Sequence, residues 1–191
     1  TQAEIIMGQV RAYRAMSLQA GFPVGWEISE VERINSVQVV LAVPTDRRAD
    51  RRLFLFRMRP TLLGPQSPSR APALAIRSLD PRSRTGNPEP LGKATIGDLP
   101  SEFYQFAVHS PAMGPELQPA LANVAVTTDR HVLGVLLVVD GPLSNRDRRL
   151  VSEVSRTISY HAGSAEPDES NTFEDTFGEP RYAPRPDGDL L

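Results

Sequence analysis

The chain lacks cysteine altogether, and it contains a single lysine, Lys93. Without thiols, the sequence excludes disulfides, thiolate catalysis, thiolate metal sites and chromophores attached through a thioether. Schiff-base chemistry would have to rest on Lys93 alone. The other 20 of the 21 basic residues are arginine, which indicates a GC-rich bacterial genome. Selection of arginine for bidentate contacts with anions is the alternative explanation.

Long apolar runs are also missing. No stretch approaches the roughly 20 residues that a transmembrane helix needs, so we expect no membrane insertion and a cytoplasmic location. Residues 163–191 contain eight acidic residues and two arginines, a net charge of −6, and since the total is −2, residues 1–162 carry +4. The sequence therefore predicts one domain over residues 1–162, followed by an acidic segment over residues 163–191.

The most informative stretch predicts a hairpin and a helix. Residues 121–128 are rich in β-branched side chains, and residues 132–139 contain no polar side chain. This pattern indicates two paired strands, the second buried on both faces at the centre of a sheet. Ser144 precedes Asp147 by three residues, as in a weak capping box. Apolar residues then recur at helical spacing, which predicts a helix over residues 145–160.

This order of hairpin, buried strand, D-G-P-L-S-x-x-D sequence and amphipathic helix resembles the end of a GAF domain. The resemblance implies an α+β fold of GAF or PAS type, with an antiparallel sheet of about five or six strands. It places helices 2–20 and 145–160 on one face of the sheet and a proline-rich cap on the other. In multidomain relatives such helices often form a dimer bundle, so a homodimer is one implication; simple coverage of the sheet is the alternative.

The remaining elements follow from periodicity and from proline. Apolar residues at helical spacing predict the first helix, alternating apolar residues predict further strands, and eleven prolines between residues 60 and 119 favour loops there. Two islands in that region are expected to be regular. The predictions are a helix over 2–20, a loop over 23–33, strands over 37–43, 53–59 and 73–79, and a helix over 101–109.

A ligand pocket is expected beneath the cap, because the corresponding segment of GAF-like domains closes over a ligand. Alternation places Phe54, Phe56 and Met58 on one face of their strand and Arg57 and Arg59 on the other, and either set is a candidate wall. A proline-rich insertion that binds no ligand is the alternative. The predicted ligand-binding residues are Phe54, Phe56, Arg57, Met58, Arg59, Phe103, Tyr104, Phe106 and His109.

Two segments are predicted to bind a protein partner. Arginines concentrate before the strand over 53–59, and aromatic residues alternate with acids in the acidic segment, a composition suited to docking in a groove. By charge, the arginines fit the acidic segment of this chain or of a neighbour; a solvated loop is the alternative. We expect no nucleic-acid partner, because the loop lacks aromatic residues that would stack on bases. The predicted residues are Arg47, Arg48, Arg51, Arg52, Phe173, Phe177 and Tyr182.

No motif for catalysis or metal binding stands out. The sequence after Gly86 fails as a P-loop, because the glycine spacing is wrong and Ala94 replaces the magnesium-binding hydroxyl. His109, His131 and His161 lack the spacing of a metal site, and no G-x-S-x-G elbow is present. We therefore expect no enzyme, no metal and no cofactor.

The leading expectation for function is a non-catalytic regulatory or sensory module that acts through a small-molecule pocket or a protein interface. The alternative is a structural or accessory subunit of a larger bacterial assembly, with a degenerate GAF-like body and the acidic segment docked on a partner.

Overall fold

The computed structural model of the chain describes residues 4–34, 37–46, 50–60, 67–111 and 114–162. Within these ranges the chain forms eleven β-strands and two α-helices. In chain order they are β1 (Arg11–Tyr13), β2 (Leu18–Ala20), β3 (Trp26–Ile34), β4 (Val37–Pro44), β5 (Arg51–Met58), α1 (Ala71–Leu79), β6 (Arg84–Thr85), β7 (Glu89–Ile96), β8 (Leu99–His109), β9 (Gln118–Val126), β10 (Val132–Val139), α2 (Asn145–Thr157) and β11 (Ser159–Tyr160).

Eight of these strands form one antiparallel sheet. The order is β3-β4-β5-β10-β9-β8-β6, and β7 also pairs with β8. β6 and β7 share one edge of β8, with β6 at the end near His109 and β7 at the end near Leu99. A smaller sheet has the order β1-β2-β11. The smaller sheet thus joins the start of the described chain to its end.

The central strand β10 determines the layers of the fold. It pairs with β5 on one side and with β9 on the other, and all eight of its residues are buried. Because successive side chains point to opposite faces, both faces of the sheet must be covered. This confirms the prediction of a hairpin with a doubly buried central strand.

Different elements cover the two faces. On what we call the α2 face, Leu133, Val135 and Leu137 of β10 pack in one core with α2 and the small sheet. On the α1 face, Leu136 and Val138 pack in a second core with α1. The predicted alternation in β5 is confirmed, since Leu53 and Leu55 belong to the α2-face core and Phe54, Phe56 and Met58 to the α1-face core.

The predicted helix over residues 2–20 is wrong in its described part. Residues 4–24, which we call the strap, run back and forth across the α2 face in largely extended conformation. Gly8 N donates to Phe22 O at 2.7 Å, and a Cβ at Gly8 would lie only 2.9 Å from that oxygen. The side chains that would have formed the helix's apolar face are not all buried, since Ile6 and Val10 are 69% and 45% exposed. The helix pair expected to form a dimer bundle is therefore absent.

The predicted proline-rich cap is also wrong. The segment expected to be a strand is helix α1, which tolerates Pro72 because proline fits the first turn of a helix. The segment expected to be a helix is strand β8, in which backbone pairing with β7 and β9 outweighs the capping tendency of Ser101. The segment expected to be a loop contains β3. With eight strands in the main sheet, the fold is not the five- or six-stranded sheet that we predicted.

The helix after the central strand is confirmed. Ser144 caps α2, its Oγ accepting from Asp147 N at 3.3 Å while Asp147 Oδ2 accepts from Ser144 N at 2.8 Å. The capping box predicted from the sequence is thus complete. The helix ends at Thr157, and the two residues of β11 then pair with β2.

Gly134 is a sensitive point of the central strand, because the ring of Phe56 on β5 lies directly over it. A Cβ at Gly134 would lie 2.3 Å from Phe56 Cζ. We expect Gly134→Ala to lower the free energy of unfolding by about 1–3 kcal/mol, since the buried ring would have to move. Chemical denaturation measures this change.

Gly86→Ala is the matched control. A Cβ at Gly86 would meet no atom closer than 3.8 Å, so we expect a change below about 0.5 kcal/mol. Equal stability of the two variants would contradict the close packing of Phe56 on β10.

Candidate functional site

The residues predicted to form a ligand pocket do not all come together, because the main sheet divides them between its two faces. Phe103 lies in the α2-face core, and Arg57 pairs in register with Leu133, whose side chain lies on the same face. His109 ends β8 opposite Arg84, and Arg59 directly follows β5. The remaining five fill the α1-face core: Phe54, Phe56, Met58, Tyr104 and Phe106.

Two of the predicted partner-binding residues, Arg51 and Arg52, lie at the start of β5. The other five fall outside the described residues; they are Arg47, Arg48, Phe173, Phe177 and Tyr182. Arg51 is already engaged. Its Nε and Nη2 donate to the carboxylate of Asp147 at 2.5 and 3.1 Å, and its Nη1 donates to Asp50 at 2.7 Å.

A groove of about 460 Å³ opens where the strap meets the first turn of α2 and the starts of β3 and β5. We call it the strap groove. Its lining has an apolar part and a charged part, which we call the apolar wall and the charged wall. The apolar residues are Ile5, Ile6, Pro23, Val24, Trp26, Pro44 and Leu150, and the charged residues are Glu4, Asp46, Asp50, Arg51, Arg146 and Asp147.

The apolar rim of the strap groove faces solvent. Val24 N donates to Ile6 O at 2.9 Å, which places these two residues side by side. Their exposed fractions are 69% for Ile6 and 64% for Val24. Sequence reasoning missed this rim because Ile6 was assigned to a helix and Trp26 to a loop. The available signal was the alternation of apolar Leu18, polar Gln19 and apolar Ala20, which is typical of a strand.

The charged wall of the strap groove is held by the Arg51–Asp147 pair. Burial alone would raise the pKa of Asp147, but hydrogen bonds from Arg51 and Ser144 outweigh burial and hold the pKa below its usual value. Asp147 therefore stays ionised and fixes β5 to the start of α2. With four carboxylates and two arginines, the lining has a net charge of −2.

A partly buried polar network lies at the other end of β5. Tyr160 on β11 donates to both carboxylate oxygens of Asp129, at 2.9 and 2.8 Å. Asp129 Oδ1 lies 3.2 Å from His131 Nδ1. Arg57, which is 4% exposed, donates to His131 Nε2 at 3.2 Å and to Ser17 Oγ at 3.3 Å. The network thus connects the small sheet to the hairpin between β9 and β10.

The protonation states in this network follow from its geometry. A guanidinium can only donate, so His131 Nε2 accepts and the proton of the neutral ring lies on Nδ1, toward Asp129. Burial and the nearby Arg57 lower the pKa of His131. Burial and the hydrogen bond to Asp129 raise the pKa of Tyr160 to about 12. No member of the network lines the strap groove, which indicates a structural role.

A second, shallower depression of about 430 Å³ lies between α2 and the edge strand β7. We call it the α2 hollow. Ala94, Phe103 and Asn123 form its base, and Ser152 and Arg156 border it on the helix side. The guanidinium of Arg148 lies 5.4 Å from the centre of the Phe103 ring. Asn123 braces the base by donating to Thr95 O and Ser155 Oγ.

Two negative observations concern the described residues alone. In the ranges given above, no group of three or more histidine, aspartate or glutamate side chains is placed to hold a metal ion. Neither helix there is long and apolar enough to span a bilayer.

Comparison with solved structures identifies a similar fold. The chain is similar to cyanobacterial PsbP. The solution structure of that protein, CyanoP from Synechocystis sp. PCC 6803, matches with a TM-score of 0.53 and 13% identity, over 83% of this chain and 95% of that one. A crystal structure from Bacteroides thetaiotaomicron VPI-5482 matches with a TM-score of 0.51 and 10% identity, over 84% of this chain and 51% of that one. No protein-family model and no curated protein matches significantly.

These comparisons correct the sequence interpretation. At such low identity, a PsbP-like match concerns the fold alone, and it replaces the GAF or PAS assignment. GAF-like folds of this kind imply signal transduction, and that implication falls with the GAF assignment. The local pattern was misleading because a doubly buried strand followed by a capped amphipathic helix is a general solution for covering a sheet.

The polar network of Arg57, Asp129, His131 and Tyr160 predicts a specific pH dependence of stability. Since the pKa of His131 is lowered in the folded state, the unfolded chain, with a histidine pKa of about 6.5, takes up a proton first as the pH falls. The stability that His131 contributes is therefore complete above about pH 6.5 and is lost at lower pH. We expect His131→Gln, which cannot titrate, to lose less stability than the unmodified chain between pH 8 and pH 5, measured by denaturation at each pH. Identical pH profiles would contradict a neutral, buried His131.

Proposed function

We propose that this chain is a non-catalytic accessory protein that binds a partner protein through the strap groove. The exposure of Ile6 and Val24 beside Trp26 carries this proposal. Adjacent exposed apolar side chains at a groove rimmed by polar residues are typical of interaction sites, whereas isolated ones are common on any surface. Trp26 and Leu150 extend the apolar surface into the groove, so a partner side chain would be buried on insertion.

The charge of the strap groove indicates the chemistry of the partner. Its lining has a net charge of −2, and Asp50 and Asp147 share a single arginine, Arg51. A partner segment that combines an apolar side chain with arginine or lysine matches both walls. β3, which starts in the groove, is the outer strand of the main sheet. An extended partner segment would therefore find backbone groups to pair with.

The hydrogen bonds made by the carboxylates of the strap groove favour binding over catalysis. Two of the four carboxylates in the strap groove are engaged, since Arg51 donates to Asp50 and Asp147, and Asp147 also caps α2. Ligand sensing, our leading expectation from the sequence, stays a prediction. Five of the nine residues expected to form its pocket lie together, and they pack in the α1-face core.

Trp26 is the chain's single tryptophan, so its fluorescence reports on the strap groove directly. We expect a synthetic peptide with leucine or isoleucine beside two arginines to shift the Trp26 emission on titration. Ile6→Glu and Val24→Glu should each weaken binding about tenfold or more, because each removes a buried apolar contact of about 1.5–3 kcal/mol. Both side chains are exposed in the free protein, so the variants should fold normally.

Leu117→Glu is the control, since Leu117 is 70% exposed and does not line the strap groove. It should bind the peptide like the unmodified chain, and a peptide with glutamate in place of arginine should bind more weakly. Equal affinity for both peptides, or unchanged affinity in Ile6→Glu, would overturn the proposal.

A further inference from the structure

The outward surface of α2 is strongly basic. Of the two carboxylates in this helix, Asp147 is buried in the capping box, and only Glu153 offsets the exposed arginines. Four arginines against one carboxylate give this surface a net charge of +3. The exposed arginines are Arg146, Arg148, Arg149 and Arg156.

One of these arginines, Arg156, lines the α2 hollow, and Arg148 lies one helical turn before Ser152 on the same side of the helix. Arg148, Ser152 and Arg156 follow one another at intervals of four residues, so they lie along one side of the helix. Arg148 lies over the ring of Phe103. Arg156 contacts Glu153 at 3.3 Å across an exposed surface, and such a pair is weak enough to leave the guanidinium available to another carboxylate. Phe103 is only 3% exposed, so the hollow offers Ala94 as its apolar surface, next to the cations Lys93 and Arg156.

The acidic segment has the complementary chemistry. Its eight acidic residues and two arginines give it a net charge of −6. Within it, residues 173–182 read F-E-D-T-F-G-E-P-R-Y, in which aromatic side chains alternate with carboxylates. An aromatic ring matches Ala94 in the α2 hollow, and neighbouring carboxylates match Lys93, Arg148 and Arg156.

We propose that residues 173–182 of the chain's own acidic segment dock on the α2 hollow. An aromatic side chain packs against Ala94, and carboxylates bind Arg148 and Arg156. The arginines before and within β5, which the sequence indicated as the partner of this segment, fit less well. Arg51 already binds two carboxylates, and Arg57 is buried.

The length of the chain permits this contact. Ten residues, 163–172, separate Ala162 from Phe173, and ten extended residues span at most about 33–36 Å. α2 has 13 residues and is therefore about 20 Å long. Since Ala162 follows the helix by five residues, the connection can reach back along the whole of α2.

The absence of cysteine makes a direct test possible in the full chain. A nitroxide attached to Ser170→Cys should selectively broaden the NMR signals of backbone amides around Phe103, Ser152 and Arg156. The effect should disappear in 1 M NaCl, where the Debye length is about 3 Å, and in the double variant Arg148→Glu/Arg156→Glu. The matched control Arg70→Glu/Arg77→Glu makes the same charge change at α1, with exposed Arg70 just before the helix and exposed Arg77 within it, and should retain the broadening.

Broadening that persists in Arg148→Glu/Arg156→Glu, or that centres on Arg51 and Arg52, would overturn the proposed site. A mixture of nitroxide-labelled chains and isotope-labelled chains should show no broadening. Broadening in that mixture would assign the contact to a second copy and would overturn docking within one chain. These outcomes are independent of the strap groove, which the nitroxide does not probe.

Discussion

Burial of β10 on both faces is the constraint from which the architecture of this protein follows. None of its eight residues has a polar side chain, and all are buried. A strand of this kind is stable only between two covering layers. α1 covers one face, and α2, the strap and the small sheet cover the other. The close approach of Phe56 to Gly134 shows how tightly the strand fits its neighbours.

The strap connects this constraint to the proposed function. It must contribute Leu18, Ala20 and Phe22 to the α2-face core, and Thr157 fixes it to α2 through hydrogen bonds with Gly21 N and Gly21 O. Its alternate side chains cannot also face inward, and Ile6 and Val24 remain on the surface beside Trp26. The cover of the core therefore provides an apolar groove, and Arg51 and Asp147 give that groove its charged wall.

Local patterns in the sequence predicted the parts of this fold that local physics determines. The apolar run of β10 and the Ser144–Asp147 capping box identified their elements, because burial of a strand and capping of a helix both depend on residues that are close in sequence. The strap and β8 were misassigned because tertiary pairing decides their conformation. Ile6, Val10 and Tyr13 have helical spacing, yet backbone contact of Gly8 with Phe22 requires an extended chain. The strap groove could not be predicted, since Ile6, Trp26, Arg51 and Asp147 come together only through the pairing of distant segments.

Position-specific photocrosslinking in the native cell tests the central claim most directly. A photoreactive amino acid replaces Ile6 in the strap groove or, as reference, Leu117 outside it, and mass spectrometry identifies the partner peptide that is captured. The account predicts a defined adduct from position 6 alone, with apolar residues next to arginine or lysine in the captured peptide. The same adducts from both positions, or none from position 6, would contradict a docking function for the strap groove.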